Sequence, residues 1–108
     1  MGGVARFDVY LVPLDPSQGR ELNKTRPCVV ISPNEFNDVI PTVLIAPMTT
    51  GNHQYPSRVA VEFRGKKSKV VIDQIRVVDK SRLYKKLGQL EPVAQQDLLD
   101  RLAAYFAP

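Results

Sequence analysis

The chain has no tryptophan, one cysteine and one histidine among its 108 residues. A lone thiol, Cys28, cannot close an internal disulfide, so a reducing compartment is expected. A lone His53 rules out a paired-histidine acid–base mechanism by count. Neither residue has a second Cys or His at ligand spacing, so no metal site and no cofactor is expected. Long apolar runs are missing as well. No window approaches the roughly 18 residues of a spanning helix, which argues against a membrane partner. The opening Met1-Gly2-Gly3-Val4-Ala5-Arg6 lacks the apolar core of a secretory signal, and the expected location is cytoplasmic. There is no internal repeat and no low-complexity tract.

What remains is ordinary for a globular protein: 44% hydrophobic and 24% charged residues. The length suits a single domain over residues 1–108 with one core. A net charge of +4 and a pI near 9.4 suit a polyanion or an acidic partner, because long-range attraction speeds encounter. A lysine-rich solvated surface would read the same way.

Nine prolines and six glycines punctuate short apolar runs, the pattern of a small all-β or α+β domain. Strands are expected over 7–14, 28–31, 42–46, 59–63, 69–72 and 75–78. A helical turn is expected over 35–39 and another over 79–82, with a loop over 49–56 and a hairpin tip over 64–68. Pro92 opens one long helix over 93–106, where Ala94, Leu98, Leu102 and Phe106 recur at helical spacing. Short strands followed by one amphipathic helix make an α+β domain.

Chemistry concentrates in the loop after the first strand, which carries Glu21 and Arg26 where polar side chains can meet a ligand. Arginine offers a permanently charged fork for phosphate. The plainer reading is a surface ion pair bracing the loop, worth at most about 1 kcal/mol. Asp73-Gln74-Ile75-Arg76 is read as alternating along a strand, with Asp73 and Ile75 on one face and Gln74 and Arg76 on the other. Tyr55 could stack on an unpaired base. The basic run Arg64-Lys66-Lys67-Lys69 would steer RNA or simply solvate a turn.

The run from Leu14 to Ser32, with its Asp15-Pro16 turn and Arg26-Pro27 step, resembles the PemK/MazF/Kid family of bacterial toxins, which cut single-stranded RNA. So do the opening Phe7-Asp8-Val9-Tyr10-Leu11-Val12, the Pro47-Met48-Thr49-Thr50 stretch and Asp73-Gln74-Ile75-Arg76, in the same order. The resemblance implies a small SH3-like β-barrel with a C-terminal helix. It implies a homodimer with RNA between the subunits, and a cognate antitoxin that covers the groove with an acidic segment. It also implies metal-independent attack of the ribose 2′-hydroxyl, leaving a cyclic phosphate and a 5′-hydroxyl. Arg26 and Thr49 match the positions central to cleavage, and Glu21 and Asp73 match carboxylates implicated in some members. Ser17, Gln18, Thr25, Thr50, Tyr55, Gln74 and Arg76 become the expected RNA contacts. Thr25 stands where some relatives carry a histidine. The competing readings are a gyrase poison like the CcdB branch of the fold and a barrel that binds without chemistry. The first is disfavoured by the absence of tryptophan from the closing Tyr105-Phe106-Ala107-Pro108.

Overall fold

The computed structural model describes residues 3–15, 18–51 and 54–108. Seven strands and two helices form over these residues: β1 (Asp8–Pro13), β2 (Thr25–Val30), α1 (Asn34–Asn37), β3 (Thr42–Thr49), β4 (Arg58–Phe63), β5 (Lys66–Val71), β6 (Arg76–Asp79), β7 (Lys85–Gln89) and α2 (Pro92–Phe106). Single 3-10 turns at Ile72–Gln74 and Lys80–Arg82 flank β6. The strands pair antiparallel in the order β4-β5-β3-β2-β1-β7, with β6 also on β3. The result is the expected α+β architecture, a curled antiparallel half-barrel carrying a C-terminal helix.

Strand β3 organises the sheet. Along one edge it pairs with β2 through Cys28↔Pro47, Val29↔Ala46 and Val30↔Ile45. Its other edge is divided: β6 takes Thr42 to Ile45, and β5 takes Met48 and Thr49. Pro47 falls between those two partners. The Ile31 N–H donates to the Leu44 carbonyl at 2.9 Å, so alternation turns Leu44 and Ala46 toward β2 and Pro47 away from it. The missing N–H of Pro47 therefore costs no ladder bond, and the strand runs through it to Thr49. The sequence expectation ended this strand at Ala46 and left Thr49 in a loop.

Alternating side chains fill two cores. One face of the sheet gathers Val9, Val29, Ile31, Ala46, Met48, Val61 and Val70 under Ala94, Leu98 and Leu102 of α2. The opposite face gathers Val12, Leu14, Cys28, Val30, Val43, Ile45 and Val78. Strands β1 to β3 are thus buried on both faces, which is why they read as continuous apolar runs.

Three further expectations need correction, and one strand was missed. Phe106 shares the spacing of the α2 stripe but is 64% exposed, stacked edge-on against Tyr105 at 5.2 Å rather than in the core. The hairpin tip is only Arg64-Gly65, whose φ values of +53° and +76° make the two-residue turn that matches strand twist. It closes the pair Phe63↔Lys66, so Lys66, Lys67 and Ser68 belong to β5. Asp73 and Gln74 lie in a 3-10 turn, not on a strand, and β6 starts only at Arg76. Strand β7 was not anticipated at all. Lys85-Lys86-Leu87-Gly88-Gln89 has no apolar alternation, yet it pairs with β1 across a bulge between Val9 and Tyr10.

Asp8, fully buried, fastens β7 to the start of the chain. Its carboxylate accepts from the Ala5 N–H at 2.9 Å and the Gln89 amide at 3.1 Å, with Lys86 Nζ at 3.5 Å. Gly88 lets β7 approach the far end of β4: its φ is +151°, and a Cβ there would lie 3.4 Å from Phe63 Cζ. Gly88→Ala is expected to cost about 1–3 kcal/mol, measured by urea unfolding, because alanine must adopt glycine's backbone while pressing on that ring.

Candidate active site

Continuing the β2–β3 register two residues past Cys28↔Pro47 sets Arg26 opposite Thr49. Both line one open cavity of about 430 Å³. Pro27, Met48 and Thr50 extend its wall. Phe63, Arg64, Lys66 and Ser68 face it from the β4–β5 hairpin, and Leu87 from β7. The lining holds three cations, Arg26, Arg64 and Lys66, and no carboxylate. Among the described residues none of the three is paired with an acidic side chain. A second cavity of about 630 Å³ adjoins it through Thr49 and Thr50, but there Lys67 and Lys69 share the lining with Glu62, Glu91 and Asp97.

The polar groups of Arg26 and Thr49 are set by local hydrogen bonds. Arg26 Nε donates to the Asn23 carbonyl at 2.9 Å, leaving the edge formed by the two terminal nitrogens. Thr49 Oγ1 accepts from the Gly51 N–H at 3.1 Å, so its own hydroxyl hydrogen is left to donate. An anion placed between them meets a cationic fork on one side and a hydroxyl donor on the other.

The remaining expected residues stand elsewhere. Glu21 is exposed and closes a turn with Gln18. Its Oε1 accepts from the Gln18 N–H at 2.6 Å, and its N–H donates to the Gln18 carbonyl at 3.1 Å. Thr25 is exposed opposite Pro13. Gln74 Oε1 accepts from the Leu22 N–H at 2.8 Å, and Arg76 Nη1 donates to the Leu14 carbonyl at 3.1 Å. Arg82 adds bonds to the carbonyls of Pro13 and Asp15. These side chains brace the β1–β2 loop from behind. Asp73 accepts from the Ser57 hydroxyl at 2.8 Å. The Arg58 guanidinium lies 5.1 Å from the centre of the Tyr55 ring. Ser17 and His53 lie outside the described residues. Glu21, Gln18, Thr25, Asp73, Gln74, Arg76 and Tyr55 do not line the cavity that Arg26 and Thr49 share.

The sequence left Arg64 and Lys66 between two readings, RNA steering and a solvated turn, and did not join them to the cavity of Arg26 and Thr49. The signal that could have found them was the Arg64-Gly65 pair, a two-residue turn that sets residues 63 and 66 face to face.

Cys28, two residues along β2 from Arg26, is no nucleophile. Burial pushes its thiol up to about 12, against the smaller opposing pull of Arg76 and Arg26. It stays protonated at neutral pH.

Residues 5–106 match the family model for the PemK-like, MazF-like toxin of type II toxin–antitoxin systems. The chain belongs to this toxin family. It is 39% identical over 90 residues to the endoribonuclease MazF of Staphylococcus epidermidis, covering 78% of this chain and 75% of the relative. Its fold matches the crystal structure of MazF from Deinococcus radiodurans with a TM-score of 0.82, at 22% identity and 97% coverage of both chains. It also matches a mycobacterial endoribonuclease solved in complex with its cognate antitoxin, with a TM-score of 0.79, 24% identity and coverage of 94% and 92%.

Two outcomes check this description of the toxin. Gln74→Ala strips the Leu22 N–H of its acceptor, and hydrogen exchange at the Leu22 amide is expected to accelerate about tenfold. An unchanged rate would show that the loop is held by other means. Cys28 should resist iodoacetamide at pH 8 in the native protein and react once unfolded. The folded chain keeps the thiol proton to about pH 12, whereas an ordinary thiol releases it near 9.0. The folded state then binds more protons over that interval, so this contribution to stability is complete below pH 9 and lost as pH rises through the interval. Cys28→Ala should flatten that decline in alkaline unfolding curves.

Proposed function

We propose that this toxin is an endoribonuclease that cuts single-stranded RNA, with Arg26 and Thr49 at the scissile phosphate. The observation that carries the reading is their placement opposite one another on a cavity with unpaired cations and no carboxylate. The ribose 2′-oxygen attacks the adjacent phosphorus and the bond to the 5′-oxygen breaks. The products are a 2′,3′-cyclic phosphate and a 5′-hydroxyl end. Because the nucleophile is already tethered to the reacting phosphate, the step needs positioning and charge stabilisation more than an activated water.

Arg26 stabilises the negative charge that accumulates on the phosphoryl oxygens. It serves as a clamp and not as an acid, because its pKa above about 12 holds the proton too tightly at neutral pH. Thr49 donates its hydroxyl to a phosphoryl oxygen and keeps the scissile group in line with the leaving oxygen. Glu21 and Asp73 are the carboxylates assigned to proton transfer. Both are exposed and stand outside the cavity lining, so either acts through solvent: water takes the 2′-hydroxyl proton toward the carboxylate and returns a proton to the departing 5′-oxygen.

The partners in this reading are single-stranded RNA, a second copy of the chain and a cognate antitoxin. The net charge of +4 favours an acidic antitoxin segment that folds onto the cationic face. The mycobacterial relative solved with its cognate antitoxin supports that pairing.

Incubation of the purified protein with unstructured RNA and excess chelator should yield fragments with 5′-hydroxyl ends. Arg26→Ala is expected to slow cleavage at least ~100-fold, the scale of removing one preorganised donor from a transition state. Thr49→Ala should cause a smaller loss. Intact RNA from the wild-type protein would overturn the proposal, and a near-wild-type rate in the arginine variant would remove Arg26 from the mechanism.

A further inference from the structure

We propose that the β4–β5 hairpin, through Arg64 and Lys66, grips a second RNA phosphate beside the one held by Arg26 and Thr49. This rests on the reading of the cavity as an RNA site. Arg64 and Lys66 line the same cavity as Arg26 and Thr49, and among the described residues neither is paired with a carboxylate. Two cations lining one cavity without a counter-charge there repel one another. An anion between them relieves that repulsion and exploits both the fork of the arginine and the point charge of the lysine.

The hairpin is stiff enough to serve as a fixed grip. Arg64 and Gly65 both hold positive φ in the tight turn, and Phe63 pairs with Lys66 directly below it. The Phe63 ring rests against Gly88, joining the tip to β7. At its other end β5 pairs with β3 through Thr49↔Lys69. Lys66 lies three residues along β5 from that pair, about 10 Å of extended strand. Its ammonium therefore meets the RNA at a neighbouring phosphate and not at the scissile one. Arg64, at the turn, closes over that phosphate from the cavity rim.

The test is binding of a single-stranded oligonucleotide with 2′-O-methyl riboses, which cannot be cleaved, titrated by fluorescence anisotropy at several salt concentrations. Removing the grip on that one phosphate in Arg64→Ala/Lys66→Ala should lower the slope of log K against log salt by about 0.7, the value for a single phosphate on a single strand. Arg64→Lys should keep the wild-type slope. On cleavable RNA the double variant should raise KM while kcat stays within about threefold, since uniform binding is lost and the reacting centre is untouched. Should the double variant fail to unfold cooperatively, Arg64→Gln and Lys66→Gln each carry half the slope change. An unchanged slope overturns the inference, including when affinity for an acidic antitoxin peptide falls instead. If the double variant shows the expected slope change relative to wild type, yet the wild-type protein leaves natural RNA intact, the subsite stands and the proposed activity falls.

Discussion

The double partnership of β3 governs the rest of the molecule. A strand paired with β2 on one edge and shared by β6 and β5 on the other fixes three neighbours with a single backbone. Arg26 reaches the cavity because β2 follows the β3 register, and Lys66 reaches it because β5 does. Pro47 marks the changeover, its missing donor turned to the only stretch of that edge with no partner to receive it. The polar wall is thus assembled by main-chain pairing before any side chain chooses a rotamer. This explains how a chain with few aromatics can hold widely separated charges in one place.

Arginine plays two opposite parts around this frame. Arg76 and Arg82 spend their donors on carbonyls of residues 13 to 15 and stiffen the base of the β1–β2 loop. Arg26, on the other side of that loop, uses one nitrogen on Asn23 and keeps two. Arg64, at a tight turn, has no donor committed among the described residues. What separates the bracing arginines from those left open at the cavity is the tally of satisfied donors, since the residue type and even the segment are shared. Gln74 falls with the braces, because its carbonyl is committed to the Leu22 amide.

The fold was legible wherever apolar residues were continuous. Runs such as Val29-Val30-Ile31 and Val43-Leu44-Ile45 announced buried strands, and Ala94, Leu98 and Leu102 announced the helix face. Legibility ended where pairing overrode composition. Lys85 to Gln89 becomes a strand because β1 offers it an edge, while its own side chains argue for solvent. Phe106 kept the helical period past the point where the sheet ends beneath it. The strand was expected to end at Ala46, because the split of its edge around Pro47 cannot be read from a single segment. At the site, Arg26 and Thr49 were recognisable through the resemblance to the toxin family and not through spacing, because they are 23 residues apart in the chain. Arg64 and Lys66 stood out only as a basic run, open to two readings, because a basic turn acquires a place only when its hairpin is folded over something.

One consequence follows from the meeting of Phe63 with Gly88. The terminal strands of the sheet, β4 and β7, lie at opposite ends of the pairing order, and across that seam an aromatic ring touches a bare backbone. Parting them forfeits dispersion contacts but unzips no ladder between them. The cavity is therefore walled on one side by a hydrogen-bonded pair, β2–β3, and meets β7 on the other through packing alone, so the stiffness of the hairpin comes from its own ladder and tight turn.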